Sequence, residues 1–212
     1  NDIQSKDIDY AARLGYSIKL LAIAENYHQL IKTNNSSTPL AVWVEPTLVP
    51  NTHPLASVND VNNAIFIEGD PIGEVMFYGP GAGAGPTASA VVADILNIAG
   101  VKIMSDSSQS LDPLLSSKSW RNCNLVNTSE IIQKNYVRLI TKDSPGVIGK
   151  IGNLFGNNNV SIESIVQFDA SNDMAEIVVI THKVNKGSME RSLNRIKRLE
   201  EVQKLETHMG CL

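Results

Sequence analysis

The chain has 212 residues, 42% apolar and 19% charged, the make-up of a globular protein of one or two domains. A formal net charge of −4 with no local basic cluster excludes a nucleic-acid binder. No secretory signal opens the chain, no apolar run reads as long enough for a bilayer, and Cys123 and Cys211 lack zinc spacing. The expectation is a cytoplasmic protein with reduced cysteines, no metal and no membrane or nucleic-acid partner.

The chain opens on Asn1 rather than Met, and residues 7–14 already read as a helix, which Gly15 closes. This predicts a piece of a longer protein. Residues 17–24 are apolar enough for a buried strand, with Lys19 as its single lysine. Lys19 is either an amine lowered in pKa by burial or a side chain reaching out from a sheet edge. Residues 25–38 are polar and read as a loop. Residues 40–50 alternate around Trp43 and Glu45 and form a strand bounded by prolines. His53 lies in a connection, with no second ligand at metal spacing, and reads as a turn residue. Residues 63–70 and 73–78 are strands that make a hairpin.

Next comes Gly79-Pro80-Gly81-Ala82-Gly83-Ala84-Gly85-Pro86, then Ala88, Val91, Val92, Ile95 and Ala99 at helical spacing, with Gly100 as the stop. A strand that ends in a glycine-rich turn and opens a helix brings bare amides to one point. That suits a polar ligand. It suits equally a tight corner between two backbones. The glycines recur at every second position, so this is not the GxGxxG fingerprint, and no acidic residue on a second strand follows at the required distance. Residues 1–104 thus read as an α+β unit.

Residues 105–135 are rich in serine and read as a linker, with short structure around Leu114 and Trp120. From 136 the rhythm is regular: strand 136–141, turn Asp143–Gly146, a helix marked by Val147, Ile148, Ile151, Leu154 and Phe155, and strands 161–168 and 175–181. A helix marked by Met189, Leu193, Ile196 and Leu199 and a strand 202–207 complete it. The order βαββαβ is ferredoxin-like, so the fold class is α+β in two parts, 1–104 and 136–212.

Two families are now legible. GYSIKLLAIA (15–24), EPTLVP (45–50), HPLASV (53–58), NNAIFIEGD (62–70) and GEVMFYGPGAGAGPTASAVVADI (73–95) resemble the end of the catalytic domain of homoserine dehydrogenase. VRLITKDSPGVIGKIGNLF (137–155) and NNNVSIESI (157–165) resemble an ACT domain, the regulatory module that follows in many bacterial members. The resemblance implies reversible, NAD(P)-dependent interconversion of homoserine and aspartate semialdehyde, feeding threonine and methionine synthesis. It also implies that the glycine turn meets the nicotinamide end of the cofactor, with Gly81 and Gly83 at the contact. No position here matches the family's cofactor domain, its substrate carboxylates or its proton-shuttle lysine, and Lys19 lies in a different motif. No catalytic residue is therefore expected in this chain, and no cofactor is expected to stay bound to it alone.

In the second part, the amides of Gly146 and Val147 can accept a carboxylate at the helix N-terminus, Asp143 can take an ammonium group, and Asn159 can contribute from a facing subunit. The family points to threonine as the effector. Asp143 as a simple helix cap is the competing reading. Strands 17–24, 40–49 and 63–78 exceed what two helices can cover, which predicts a homodimer or higher homo-oligomer. A stand-alone amino-acid-binding or dimerisation module is the alternative to an enzyme fragment.

Overall fold

The computed structural model describes residues 3–27, 38–106, 123–171 and 173–212. They divide into two compact units, residues 1–51 with 124–212, and residues 52–123. These units do not follow the sequence division at 104 and 136, because the strands near the start of the chain pair with strands from its end.

The first unit opens with α1 (Ser5–Arg13), β1 (Tyr16–Asn26) and β2 (Thr38–Pro50). The Gln4 amide donates to Asp7 Oδ2 at 2.9 Å, which satisfies one donor at the helix start. Gly15 at φ +82° turns the chain from α1 into β1, which pairs antiparallel with β2 along its whole length. The strand runs two residues further than its sequence pattern suggests, and Tyr27 follows as a buried residue whose hydroxyl accepts from the Ile132 amide at 2.8 Å. The rest of the predicted 25–38 loop lies outside the described residues.

The second unit holds β3 (Asn62–Gly69), β4 (Gly73–Pro80) and α2 (Ala84–Asp106). β3 and β4 form the expected hairpin, as a two-stranded sheet of their own. α2 does not stop at Gly100. A glycine inside a helix costs only about 1 kcal/mol against alanine, and the apolar helix formers around it carry the helix on to Asp106. As a result 84–103 is, by length and composition, long and apolar enough to cross a bilayer, contrary to the expectation from sequence. Val91, Val92, Ile95, Leu96 and Ile98 are all exposed on it.

The remainder belongs to the first unit. β5 (Cys123–Leu125) pairs with β2 and a 3-10 turn follows at Thr128–Glu130, so this end of the predicted linker is structured; Leu114 and Trp120 lie outside the described residues. β6 (Ile132–Lys142), α3 (Val147–Gly156), β7 (Ile162–Ser171), β8 (Met174–Thr181), the two-residue β9 (Val184–Asn185), α4 (Lys186–Ile196) and β10 (Val202–Cys211) give the βαββαβ order. α4 is capped by Asn185, which accepts from the Ser188 amide at 2.8 Å, and ends before Leu199. The main sheet runs β1-β2-β10-β6-β8-β7. Its last four strands are in the ferredoxin-like order, antiparallel throughout. β10 continues past Thr207 because residues 208–211 stay paired antiparallel with residues 134–137 of β6, and Gly210 and Cys211 also pair in parallel with Thr47 and Leu48 of β2.

Side-chain alternation sorts this sheet into two faces. Val137, Leu139, Ile177 and Val179 meet Val147, Ile151 and Phe155 of α3 and Met189, Leu193 and Ile196 of α4. The alternate residues Tyr136, Val178, Ile180, Met209 and Cys211 meet Tyr10 and Ala11 of α1 and Leu48 of β2. A ferredoxin-like sheet with helices on one side leaves its second face open; here α1 covers it.

Candidate functional site

Four places carry polar chemistry among the described residues, and each is built differently.

The glycine turn joins β4 to α2 as predicted. Gly83 has φ +121°, in the region that favours glycine, and its carbonyl accepts from the Thr87 amide at 3.1 Å to open the helix. The Gly81 amide donates to Val61 O at 2.9 Å, and a Cβ on Gly81 would stand 1.7 Å from Asn63 Nδ2. The Asn63 side chain therefore fills the space that a Cβ at Gly81 would take, and would have to move aside for one. Gly83 and Gly85 are exposed, and a Cβ on Gly85 would meet nothing within 4 Å. Residues 79–93 carry no lysine or arginine. Such a surface admits a polar, uncharged group to bare backbone, and offers a phosphate no counter-charge beyond the helix end. His53 lies in the same unit as the first residue of a turn: its Nδ1 accepts from the Leu55 amide at 3.2 Å and its ring packs on Phe66.

The Asp143–Gly146 turn ends β6 and opens α3. Gly146 sits at φ +88° as the N-cap residue, with no side-chain cap, so Asp143 does not cap the helix. The Asp143 carboxylate instead accepts from Gln167 Nε2 at 3.3 Å and remains exposed. Its amide donates to Asp173 O at 2.8 Å, which ties the turn to the β7–β8 turn. The Val147 amide reaches back to Ser144 O at 3.5 Å, so it is weakly engaged rather than bare. Asp143, Gly146 and Val147 come together. Asn159, with φ +57°, stands beyond the opposite end of α3, and a ten-residue helix is about 15 Å long. Asn159 therefore joins such a site only from another copy of the chain.

The third place escaped the sequence reading. Arg138, 1% exposed, projects from β6 towards α1, and its Nε donates to Asp7 Oδ1 at 2.7 Å. Its NH1 donates to Glu176 Oε2 on β8 at 3.1 Å, and its NH2 to Gln4 Oε1 at 2.7 Å. The Thr207 hydroxyl on β10 donates to Asp7 Oδ2 at 2.8 Å and the Tyr136 hydroxyl to Oδ1 at 3.2 Å. Lys6 bonds to Glu176 Oε1, and Tyr10 donates to Oε2 at 3.2 Å. Burial pushes the Asp7 carboxyl up, but the bonds from Arg138, the Gln4 amide and Thr207 outweigh it and hold it below its ordinary value. Glu176 is likewise lowered: burial raises it, and Lys6 and Arg138 bring it down further. The signal was available. A lone arginine in Tyr136-Val137-Arg138-Leu139-Ile140, and a lone glutamate before Ile177-Val178-Val179, interrupt strands too apolar to be exposed, and a buried charge requires a partner.

A second polar seam lies where β2 meets β10. Lys186 bonds to Glu45 Oε2 at 2.9 Å and lies over the Trp43 ring. His208 Nε2 lies 3.0 Å from Asn135 Oδ1, and burial lowers its pKa to about 4, with Glu45 opposing and Lys186 and Lys197 adding to the shift. Lys19 is half-buried on β1 opposite Thr47. Among the described residues no cluster of histidine, cysteine and carboxylates has the make-up of a metal site.

Residues 1–96 match the family model of homoserine dehydrogenase, and residues 135–201 match that of the ACT domain. A homoserine dehydrogenase of Synechocystis sp. is 47% identical over 210 residues, covering 99% of this chain and 47% of the relative. That of Bacillus subtilis is 32% identical, covering 98% and 45%. Among solved structures, a homoserine dehydrogenase from Thiobacillus denitrificans superposes with a TM-score of 0.84 at 27% identity, covering 98% of this chain and 45% of that one. One from S. aureus at pH 6.0 gives 0.56 at 26%, with 97% and 44% covered. The chain spans about half the length of the curated relatives it matches.

Proposed function

Because this chain belongs to the homoserine dehydrogenase family and carries an ACT region, we propose that it forms the C-terminal part of an NAD(P)-dependent homoserine dehydrogenase under feedback control by an amino acid. The reaction is the interconversion of homoserine and aspartate semialdehyde in threonine and methionine synthesis, in the cytoplasm. The observation that supports this most directly is the shared sheet. α1 and β2, from the dehydrogenase match, complete one core with β6, β8 and β10, from the ACT match and the residues just after it. Among the described residues the ACT region shares its sheet with the first strands of the dehydrogenase match.

The nicotinamide cofactor supplies the hydride. In this chain Gly83, with Gly85 beside it, would let its uncharged end approach backbone, while Gly81 keeps the turn closed against Asn63. The proton-shuttle lysine and the carboxylates that hold the amino group have no matching position here. At the Asp143–Gly146 turn, Asp143 would accept the ammonium of the effector, and the first amides of α3 would take its carboxylate. Asn159 would come from a second copy. Threonine is the effector we propose, as an end product of the pathway.

The test is the parent enzyme with NADPH and aspartate semialdehyde, assayed with and without threonine. Gly83→Val is a poor probe of cofactor approach, since any branched residue is strained at its φ. Gly85→Val is cleaner: its Cβ would meet no atom within 4 Å, and we expect it to raise the cofactor KM with little effect on folding. An unchanged KM in a folded Gly85→Val variant would leave the turn as a corner only.

A further inference from the structure

We propose that the Asp7–Arg138–Glu176 cluster is a mechanical coupler that makes α1 follow movements of the Asp143–Gly146 turn. Its regulatory meaning rests on the effector reading above; its mechanical meaning does not.

The cluster joins the two family matches. Asp7 and Lys6 lie in the dehydrogenase match, and Arg138 and Glu176 in the ACT match. It spans three neighbouring strands. Thr207 on β10 is the cross-strand partner of Arg138, and Glu176 on β8 is diagonal to it across the β6–β8 pair. Five directed bonds, from Arg138, Tyr136, Thr207 and the Gln4 amide, converge on the Asp7 carboxylate. Apolar contact alone lets a helix slide or tilt by small steps. A buried carboxylate with every lone pair engaged does not, because a displaced charge would be left without water or a partner.

Two paths lead from the turn to this cluster, one along continuous backbone and one through a backbone hydrogen bond. β6 runs from Arg138 to Lys142, directly before Asp143. The Asp143 amide is bonded to Asp173 O, and β8 starts at Met174, two residues before Glu176. A shift of the turn thus pulls on both strands that hold the Arg138–Glu176 pair, and α1 is fixed to that pair. α1 in turn leads through Gly15 into β1, so the dehydrogenase part receives the motion.

Amide hydrogen exchange of the whole chain tests this without depending on a ligand. Gly146→Val strains the turn at a position where the new Cβ meets no atom within 4 Å, so the fold should persist. In the otherwise native chain we expect Gly146→Val to change exchange rates at least several-fold in residues 147–150 and also in α1. In a chain carrying Asp7→Leu, Arg138→Met and Glu176→Leu, which keeps apolar packing and removes the cluster's bonds between α1 and the sheet, the same substitution should change residues 147–150 and leave α1 unmoved. Tyr10→Phe, which removes the bond to Glu176 Oε2 and leaves Asp7 and Arg138 in place, should still transmit. If Gly146→Val alters residues 147–150 and never α1 in the native background, the coupler is overturned; transmission that survives the triple substitution Asp7→Leu, Arg138→Met and Glu176→Leu overturns it equally. L-Threonine at millimolar concentration is added as a second perturbation. If it changes nothing while Gly146→Val transmits, the effector reading fails and the coupler stands.

Discussion

At the scale of single residues, the strongest expectations attach to charges that have lost water. Asp7→Ala leaves Arg138 buried without its main partner, and breaking a pair so buried costs about 3–5 kcal/mol. Urea unfolding at neutral pH should show that loss, and a loss under about 1 kcal/mol would mean that water reaches the cluster. His208 gives a pH dependence. Its folded-state pKa is lowered from 6.5 to about 4, so the unfolded chain binds the extra proton first. Stability then falls as pH drops from the ordinary histidine range towards 4, by about 3 kcal/mol for a shift of this size. The contributions of Asp7 and Glu176 persist above their ordinary carboxylate range and are lost only below it. His208→Gln should flatten the curve between pH 6.5 and 4 while leaving the steeper fall below it. Gly81→Ala should cost roughly 1 kcal/mol through the displaced Asn63 rotamer, and Asn63→Ala should recover most of it. If the two losses simply add, Gly81 answers to something outside the hairpin.

At the scale of elements, the βαββαβ order was legible because each strand and helix carries its own period, and because Asp143-Ser144-Pro145-Gly146 marks a helix start. The hairpin and the strand-turn-helix at the glycines were legible for the same reason. What stayed hidden depends on pairing between distant segments. Residues 208–211 lie past the strand read at 202–207, and their partners, residues 134–137 of β6 on one side and Thr47–Leu48 of β2 on the other, are set by pairing between distant segments. Gly100, read as a stop, is a local miss instead: the apolar residues on both sides of it carry the helix on to Asp106. The candidate sites divide likewise. Glycine turns announce themselves, and their occupants do not. Gly81 reads like Gly83 in sequence, and the structure separates them: one is filled by Asn63 and the other is open. The lone charges of β6 and β8 were visible, but their partner on α1 lies some 130 residues away in the chain.

For the whole molecule, the exposed apolar residues set the expectation. Leu20, Val42 and Val44 stand out from β1 and β2 of the first unit, and Ile65, Ile67 and Phe77 from the hairpin of the second. Monomers rarely leave so much apolar surface in water, so the chain should be a homodimer or higher oligomer at micromolar concentration. Light scattering that returns one clean monomer would count against this. The isolated chain should not oxidise homoserine with NAD or NADP, since the proton-shuttle lysine has no counterpart in it, and turnover above background would contradict that. The central claim, an amino-acid sensor built into a dehydrogenase through a shared sheet, is tested most directly by calorimetric titration of the chain with L-threonine. The account predicts saturable heat that Asp143→Ala abolishes. No heat with threonine, methionine, lysine or isoleucine at millimolar concentration, or equal binding by Asp143→Ala, would contradict it.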